Sequence, residues 1–283
     1  MAIEVQHKDI FIPTNEDSII YNIDTFRYIK SPEEPVENRI QLKIKKTYIK
    51  KDQMGFLFSV EVLEREQSNK EGVFGIEDQL NQLQNKLILY TDVHGEITSI
   101  INCGQISEQW YDQKASFKKA YKDELDTIDD FIVGVDAMIN DHFEFLNLVK
   151  KSEVATLLFP PIYDHNLVTT ASVDQQRVWY DFFDTTALPF KINTKITAIN
   201  QNTNGYQLAR AGSLDTARFD ENKATALMST LFDVHKYNIK IDLNSFEAYD
   251  LNKDHTIAAA TLLMNVEIPG VYSYRQISKL KAN

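Results

Sequence analysis

A single cysteine, Cys103, serves the whole chain of 283 residues. No internal disulfide can form, and a zinc site needing two thiolates from this chain is excluded. A reducing compartment is the expectation. Glycine is scarce, at 9 residues, and neither GxGxxG nor GxxxxGK[ST] occurs, which removes the common phosphate-cradling loops. No apolar run is long enough to span a bilayer. The opening MAIEVQHKDIFIPTNED carries acids early and lacks the apolar core of a signal peptide. The expected location is therefore cytoplasmic, unless the chain begins after a removed signal. The six histidines form no HExxH or HxxxH pair, and neither a metal nor a cofactor is expected.

What the chain has in plenty is acid, apolar surface and aromatic rings. Its net charge of −11 is spread along the sequence rather than held in a tail, which opposes nucleic acid and anionic surfaces at long range. A 43% hydrophobic content with 16 Phe and 13 Tyr is enough to build a real core, so disorder is excluded.

Strand signals dominate both ends. SIIYNIDTFRYIK is β-branched and aromatic, and in RIQLKIKK the residues Ile40, Leu42 and Ile44 alternate with lysines. GFLFSVEVLE follows, then a helical IEDQLNQLQ, then a hairpin of KLILYTD and EITSIIN around VHG. The middle is helical. Ser107 is a candidate N-cap for a helix with Trp110, Phe117 and Tyr121 near one face. A longer helix is expected where Ile128, Phe131, Val135, Met138, His142, Leu146 and Val149 step by three or four, and Pro160-Pro161 ends the helical run. The last third returns to strands, with a helix capped by Asp220 and carrying Leu227, Met228, Leu231 and Phe232.

Both ends read strand, strand, helix, strand, strand. At a fixed offset Lys45 matches Lys195, Thr47 matches Thr197, Ile49 matches Ile199, Gly55 matches Gly205, and Phe56 aligns with Tyr206. An internal ββαββ duplication accounts for that order. The expected fold is α+β: long, twisted, mostly antiparallel sheets at both ends, with the central helical segment packed on one face. The expected divisions are a first β-rich half (1–104), central helices (105–165) and a second β-rich half (166–283), in one integrated domain or two subdomains. In general plan, though on no matched motif, such an arrangement resembles the periplasmic lipoprotein-carrier half-barrels.

Chemistry-bearing patterns are few, and each has a plain structural rival. DLNKDHTIAAAT, from Asp250 to Thr261, imitates a calcium loop at Asp250, Asn252, Asp254 and Ile257. His255 stands where the sharp turn wants glycine, and Thr261 replaces the bidentate Glu, so a solvated hairpin tip is expected instead. Gly212-Ser213 lacks the second glycine of a nucleophile elbow, and Gly212 reads as a bulge or bend. Cys103 reads as a small buried hydrophobe. The acids Asp123, Glu124, Asp126, Asp129 and Asp130 suit a helix start. Lys43, Lys45, Lys46, Lys50 and Lys51 with Tyr48 read as the outer face of an edge strand, and nucleic acid is not expected as a partner.

The most suggestive region is RVWYDFFDTTALPF. There Trp179, Tyr180, Phe182 and Phe183 are candidate partner- or ligand-binding residues, because aromatic side chains near an acidic rim are favoured at binding surfaces. The leading expectation is a non-enzymatic acidic binding protein whose partner is another protein: an adaptor, assembly component or inhibitor-like chain. The alternative is a carrier of a small apolar ligand held between sheet and helices. A third reading is a hydrolase assembled in space from Asp164, His165 and His235.

Overall fold

The computed structural model describes residues 7–8, 10–14, 18–30, 34–163, 167–168, 172–183, 186–200, 205–232 and 240–283. The first half runs β1 (His7–Lys8), β2 (Ile19–Lys30), β3 (Val36–Lys51), β4 (Phe56–Gln67), α1 (Gly72–Asn81) with a 3-10 turn (Gln82–Gln84), β5 (Lys86–Thr91) and β6 (Ile97–Ile100). Four helices follow: α2 (Cys103–Tyr121), α3 (Ile128–Asn140), α4 (His142–Lys151) and α5 (Glu153–Leu158). The chain closes with β7 (Leu167–Val168), β8 (Val173–Phe183), β9 (Thr186–Asn200), β10 (Gly205–Leu214), α6 (Glu221–Phe232), β11 (Asp242–Leu251), β12 (Ile257–Ile268) and β13 (Tyr272–Ala282).

Mixed helix and strand is borne out, but the strands form one large sheet rather than one at each end. Eleven strands pair in the order β6-β5-β4-β3-β2-β13-β12-β11-β10-β9-β8, while β1 pairs with β7. The two ends join because the last strand, β13, lies beside β2. The sheet stays open, with β6 and β8 as its edges. β3 is therefore an interior strand, not the edge that its lysines implied.

The chain divides into two compact units: Met1–Pro13, Ile23–Arg39 and Ile162–Ala282 form one, and Thr14–Asn22, Ile40–Pro161 and Asn283 form the other. In the first, alternation on β9 to β12 buries Leu188, Phe190, Ile192, Leu243, Met264, Val266 and Ile268 on one face, and α6 contributes Ala224 and Leu227 to that core. Asp220 does cap α6, accepting from the Lys223 N–H at 2.9 Å. The side chains of Met228, Leu231 and Phe232 lie outside the described residues. In the second unit Ile44, Phe58, Val60, Leu87 and Leu89 are buried, as are Ile106, Trp110, Phe117, Val149, Leu157 and Leu158 of the helices.

Two hairpins share a detailed design. Phe56 pairs with Thr91, and Tyr206 pairs with Leu251. β5·β6 and β11·β12 both slip register just before the tip, at Tyr90/Thr91 and Asp250/Leu251. In one tip the Asp92 N–H donates to the Glu96 carbonyl and the Gly95 N–H to that of Asp92; in the other Asn252 pairs likewise with Thr256, and His255 with Asn252. Gly95 and His255 take the same left-handed place, at φ 90 and 65. The tip at Asp250 is thus a bend between two strands. A calcium loop of this type needs helices on both flanks.

Three local expectations are corrected. α2 begins at Cys103, so Ser107 lies inside the helix. Asn102 at its start instead accepts from the Ile88 N–H at 2.8 Å and donates to the Lys86 carbonyl at 2.9 Å. The long central helix is two helices, because the Asp141 side chain caps a fresh start by accepting from Phe143 and Glu144 N–H groups at 2.9 and 3.1 Å. That break changes the phase, so Phe145 and Val149 are buried and His142 is exposed. Gly212 sits in unbroken pairing between Ile192 and Ser245, and an added Cβ would lie 2.2 Å from the Ser245 hydroxyl. Crowding, not a bulge, explains that glycine.

Candidate functional site

An apolar cleft of about 460 Å³ opens among α1, the following 3-10 turn, α3 and α4. Helical spacing builds it. Val73, Ile76, Leu80 and Leu83 come from one side, Phe131, Val135 and Met138 from α3, and Phe145 and Leu148 from α4. Residues three and four apart share a helix face, so each helix offers one apolar stripe. Glu77, Asn81 and Gln84 add the polar groups of the lining, and the Gln84 side chain donates to Asn81 Oδ1 at 3.4 Å. Gly134 lines the cleft too, and a Cβ there would meet nothing within 4 Å. The space in front of it is empty, so packing does not require glycine at that position.

The walls are braced from behind by α2. The Phe117 ring stacks on Phe131 at 5.9 Å and meets Trp110 at 5.6 Å and Tyr121 at 4.8 Å. The Tyr121 hydroxyl donates to the Gly75 carbonyl at 3.1 Å, tying α2 to α1. Asp136 of α3 accepts from the Trp110 indole N–H at 2.6 Å and from Lys114 at 2.7 Å. Burial pushes its carboxyl upward, but Lys114 and Trp110 outweigh that and hold it below the usual value. Asp129 and Asp130 fall in the first turn of α3, as the acid run implied, and Lys118 pairs with Asp129.

Lys46 departs from its expected place on a basic outer face. Its stem is half-buried, and its ammonium donates to the Leu158 carbonyl at 2.6 Å beneath the rings of Phe159 and Phe58, at 4.1 and 4.8 Å. Burial pulls its pKa to about 7. The ring faces and the carbonyl oppose that shift by favouring the charged form. Lys46 thereby caps the last turn of α5.

The first unit holds a polar network inside the sheet. Glu247 accepts from Arg177 at 2.7 Å, from Arg210 at 2.5 Å and from the Tyr249 hydroxyl at 2.9 Å. Arg210 also reaches Gln175 at 3.1 Å and Thr194 at 3.3 Å. Burial raises the Glu247 carboxyl, and its two guanidinium partners more than reverse that.

Of the residues singled out in sequence, Trp179 is buried in the core cluster and meets Phe190 edge-on at 5.2 Å, whereas Tyr180 is exposed. The side chains of Phe182 and Phe183 lie outside the described residues, as do Asp164, His165 and His235. The structure thus does not bring Trp179 and Tyr180 to a common surface. Cys103 is buried with its thiol donating to the Ile100 carbonyl at 3.1 Å, and burial pushes that thiol's pKa up. Among the described residues no group of three or more His, Cys, Asp or Glu could hold a metal ion, and no helix is long and apolar enough to cross a membrane. The cleft itself was missed. Its stripes were visible at Ile76, Leu80, Leu83 and Phe131, Val135, Met138, but a filled core has the same spacing.

No family model matches the chain, and no curated protein matches it. Among solved structures it is similar to lipovitellin, in a structure described as lipid-protein interactions in lipovitellin. The TM-score is 0.50 at 12% identity, covering 96% of this chain and 25% of that one. At that identity the likeness is one of fold, and the chain spans a quarter of the other's length.

Proposed function

We propose that the protein is a carrier that holds one small apolar ligand, of single-chain size, in the cleft of α1, α3 and α4. The observation that carries this reading is the cleft: apolar walls from three helices, a few polar groups, and a volume of about 460 Å³. Ligand sites of this kind enclose roughly 300–1,000 Å³. Burying about ten methylenes gains about 8 kcal/mol, and several of these are lost to ordering the ligand. The fold likeness to a protein studied for its lipid interactions is in keeping with an apolar cargo.

Native mass spectrometry of freshly purified protein, with calorimetric titration of dodecanoate, tests the proposal. One saturable site is expected, lost in Gly134→Leu, whose side chain enters the empty space. A clean apo mass together with no saturable heat, or equal binding by Gly134→Leu, overturns it. A protein partner remains the second reading. Val73, Val133 and Phe143 stand exposed on the same helices, as the rim of a groove for an amphipathic helix would. The proposal includes the internal duplication, supported by the common bulge and tip of β5·β6 and β11·β12. By strand register, though, Phe56 faces Lys51 while Tyr206 faces Ile199, so the first strands of the two halves are displaced by two residues from the fixed offset.

A further inference from the structure

The face of the first unit's sheet that points away from its core carries an apolar row. Register places Phe246 opposite Leu263, and Leu263 opposite Ile277. Thr25 donates to Ser278 at 2.9 Å on the buried face. Side chains alternate along a strand, so Phe26 stands beside Ile277 on the open one. The four are 38–41% exposed and form a ridge across four strands, about 14 Å long at the usual strand spacing.

The neighbouring rows are unlike the ridge. On one side the register runs Lys195, Ala209, Ala248, Thr261, Lys279; on the other it runs Lys191, Ser213, Asn244, Asn265, Arg275. Across β9 to β13 each row is small and neutral in the middle and carries a cation at either side, with Asp24 following Lys279 on β2 and Gln176 following Lys191 on β8. The ridge therefore stands above a flat floor, framed by four positive charges on a chain whose net charge is −11. Lys191 reaches Asp215 at 3.0 Å, and Arg275 donates to Asn265 at 3.2 Å. Besides Asp215, two carboxylates border the frame: Asp24, beside Lys279 and bonded to Arg39 at 2.9 Å, and Asp174, which accepts from Asn193 at 2.9 Å between Lys191 and Lys195. Farther out lie Asp250 and Lys281 on one side, and Glu267 and Asp242 on the other.

We infer that this face docks on an anionic lipid surface, with Phe26, Ile277, Leu263 and Phe246 entering the interface and Lys191, Lys195, Arg275 and Lys279 meeting the headgroups. Protruding apolar side chains inside a cationic frame match the two attractions that hold a peripheral protein to such a surface. A second copy fits poorly, because two such faces laid together would set like charges against one another. A groove for a protein segment would need walls, and the alanine floor supplies none. The inference is independent of the cleft.

Co-flotation of the full chain with vesicles of phosphatidylcholine, alone or mixed with phosphatidylglycerol, tests it. Binding is expected only to the mixed vesicles and should weaken as salt is raised. Lys195→Glu with Lys279→Glu should lower partitioning by about 25-fold or more, at about fivefold for each cation lost. Phe246→Ser with Leu263→Ser should abolish it, since those side chains lie outside the core. Lys119→Glu with Lys122→Glu, both exposed at the end of α2, matches the change in net charge and should bind normally, and Gly134→Leu should float normally even if the cleft reading fails. Absence of binding, or binding unchanged in the ridge variants, overturns the inference. So does a dimer in sedimentation that the ridge variants dissolve, which would make the occupant a second copy. Capture of an acidic protein in place of vesicles would likewise refute it.

Discussion

Replacing Gly75 or Gly134 by alanine adds the same methyl group to two helices of one unit, yet the surroundings differ. At Gly75 the new Cβ would lie 2.4 Å from the Lys70 carbonyl oxygen and 3.1 Å from its carbon, both backbone atoms that cannot swing aside. Relieving an overlap of that size moves the start of α1 and costs about 2–3 kcal/mol. Better helix propensity returns less than about 1 kcal/mol. At Gly134 the methyl meets nothing within 4 Å, leaving only the propensity gain of about 0.5–1 kcal/mol. The pair should differ by about 2–3 kcal/mol with opposite signs. Urea unfolding followed by Trp110 fluorescence, in a Trp179→Phe background, reads this unit directly. Destabilisation by both alanines, or by neither, would refute the argument that empty space at the cleft wall distinguishes the two glycines.

Two further outcomes concern the first unit. Glu247→Gln removes the carboxylate shared by Arg177, Arg210 and Tyr249 and should cost about 3–5 kcal/mol, because it leaves buried guanidinium charge uncompensated; the thermal midpoint followed by Trp179 fluorescence checks it. His255 is held below its ordinary value by burial, with Asp254 opposing, and its Nδ1 accepts the Phe11 N–H at 3.0 Å. The neutral imidazole is thus the folded form. Its contribution is fully present above about 6.5, the ordinary histidine value, and is lost as pH falls from there toward the lowered one. The protection factor of the Phe11 amide should fall over that window, and in His255→Ala it should be low at every pH.

Much of the fold could be read from period-two patterning: β3, β4, β9 and β12 lie where alternation put them, because each has one face in the core. Two features hid the rest. Strand partners distant in sequence leave no local mark, so nothing in RQISKL announced that β13 would lie beside the second strand and fuse two sheets into one. Nor does periodicity see interruption by a single cap. Asp141 broke a helix whose apolar spacing ran on smoothly, exposing His142. The lysines of β3 looked equivalent, yet Lys46 lies under two phenylalanine rings supplied by Phe58 and Phe159. The cleft is illegible for a related reason: spacing tells which residues face inward, not whether the volume between them is filled.

Residues 40–161 of the second unit form one unbroken stretch, whereas the first is gathered from segments before and after it. On a ribosome that order acquires a timetable. The inner stretch can collapse while translation continues, but Phe11 must wait for His255, its hydrogen-bond partner 244 positions later. Phe11 is thus among the last of the described residues to find its place, and closing so distant a contact comes late in folding.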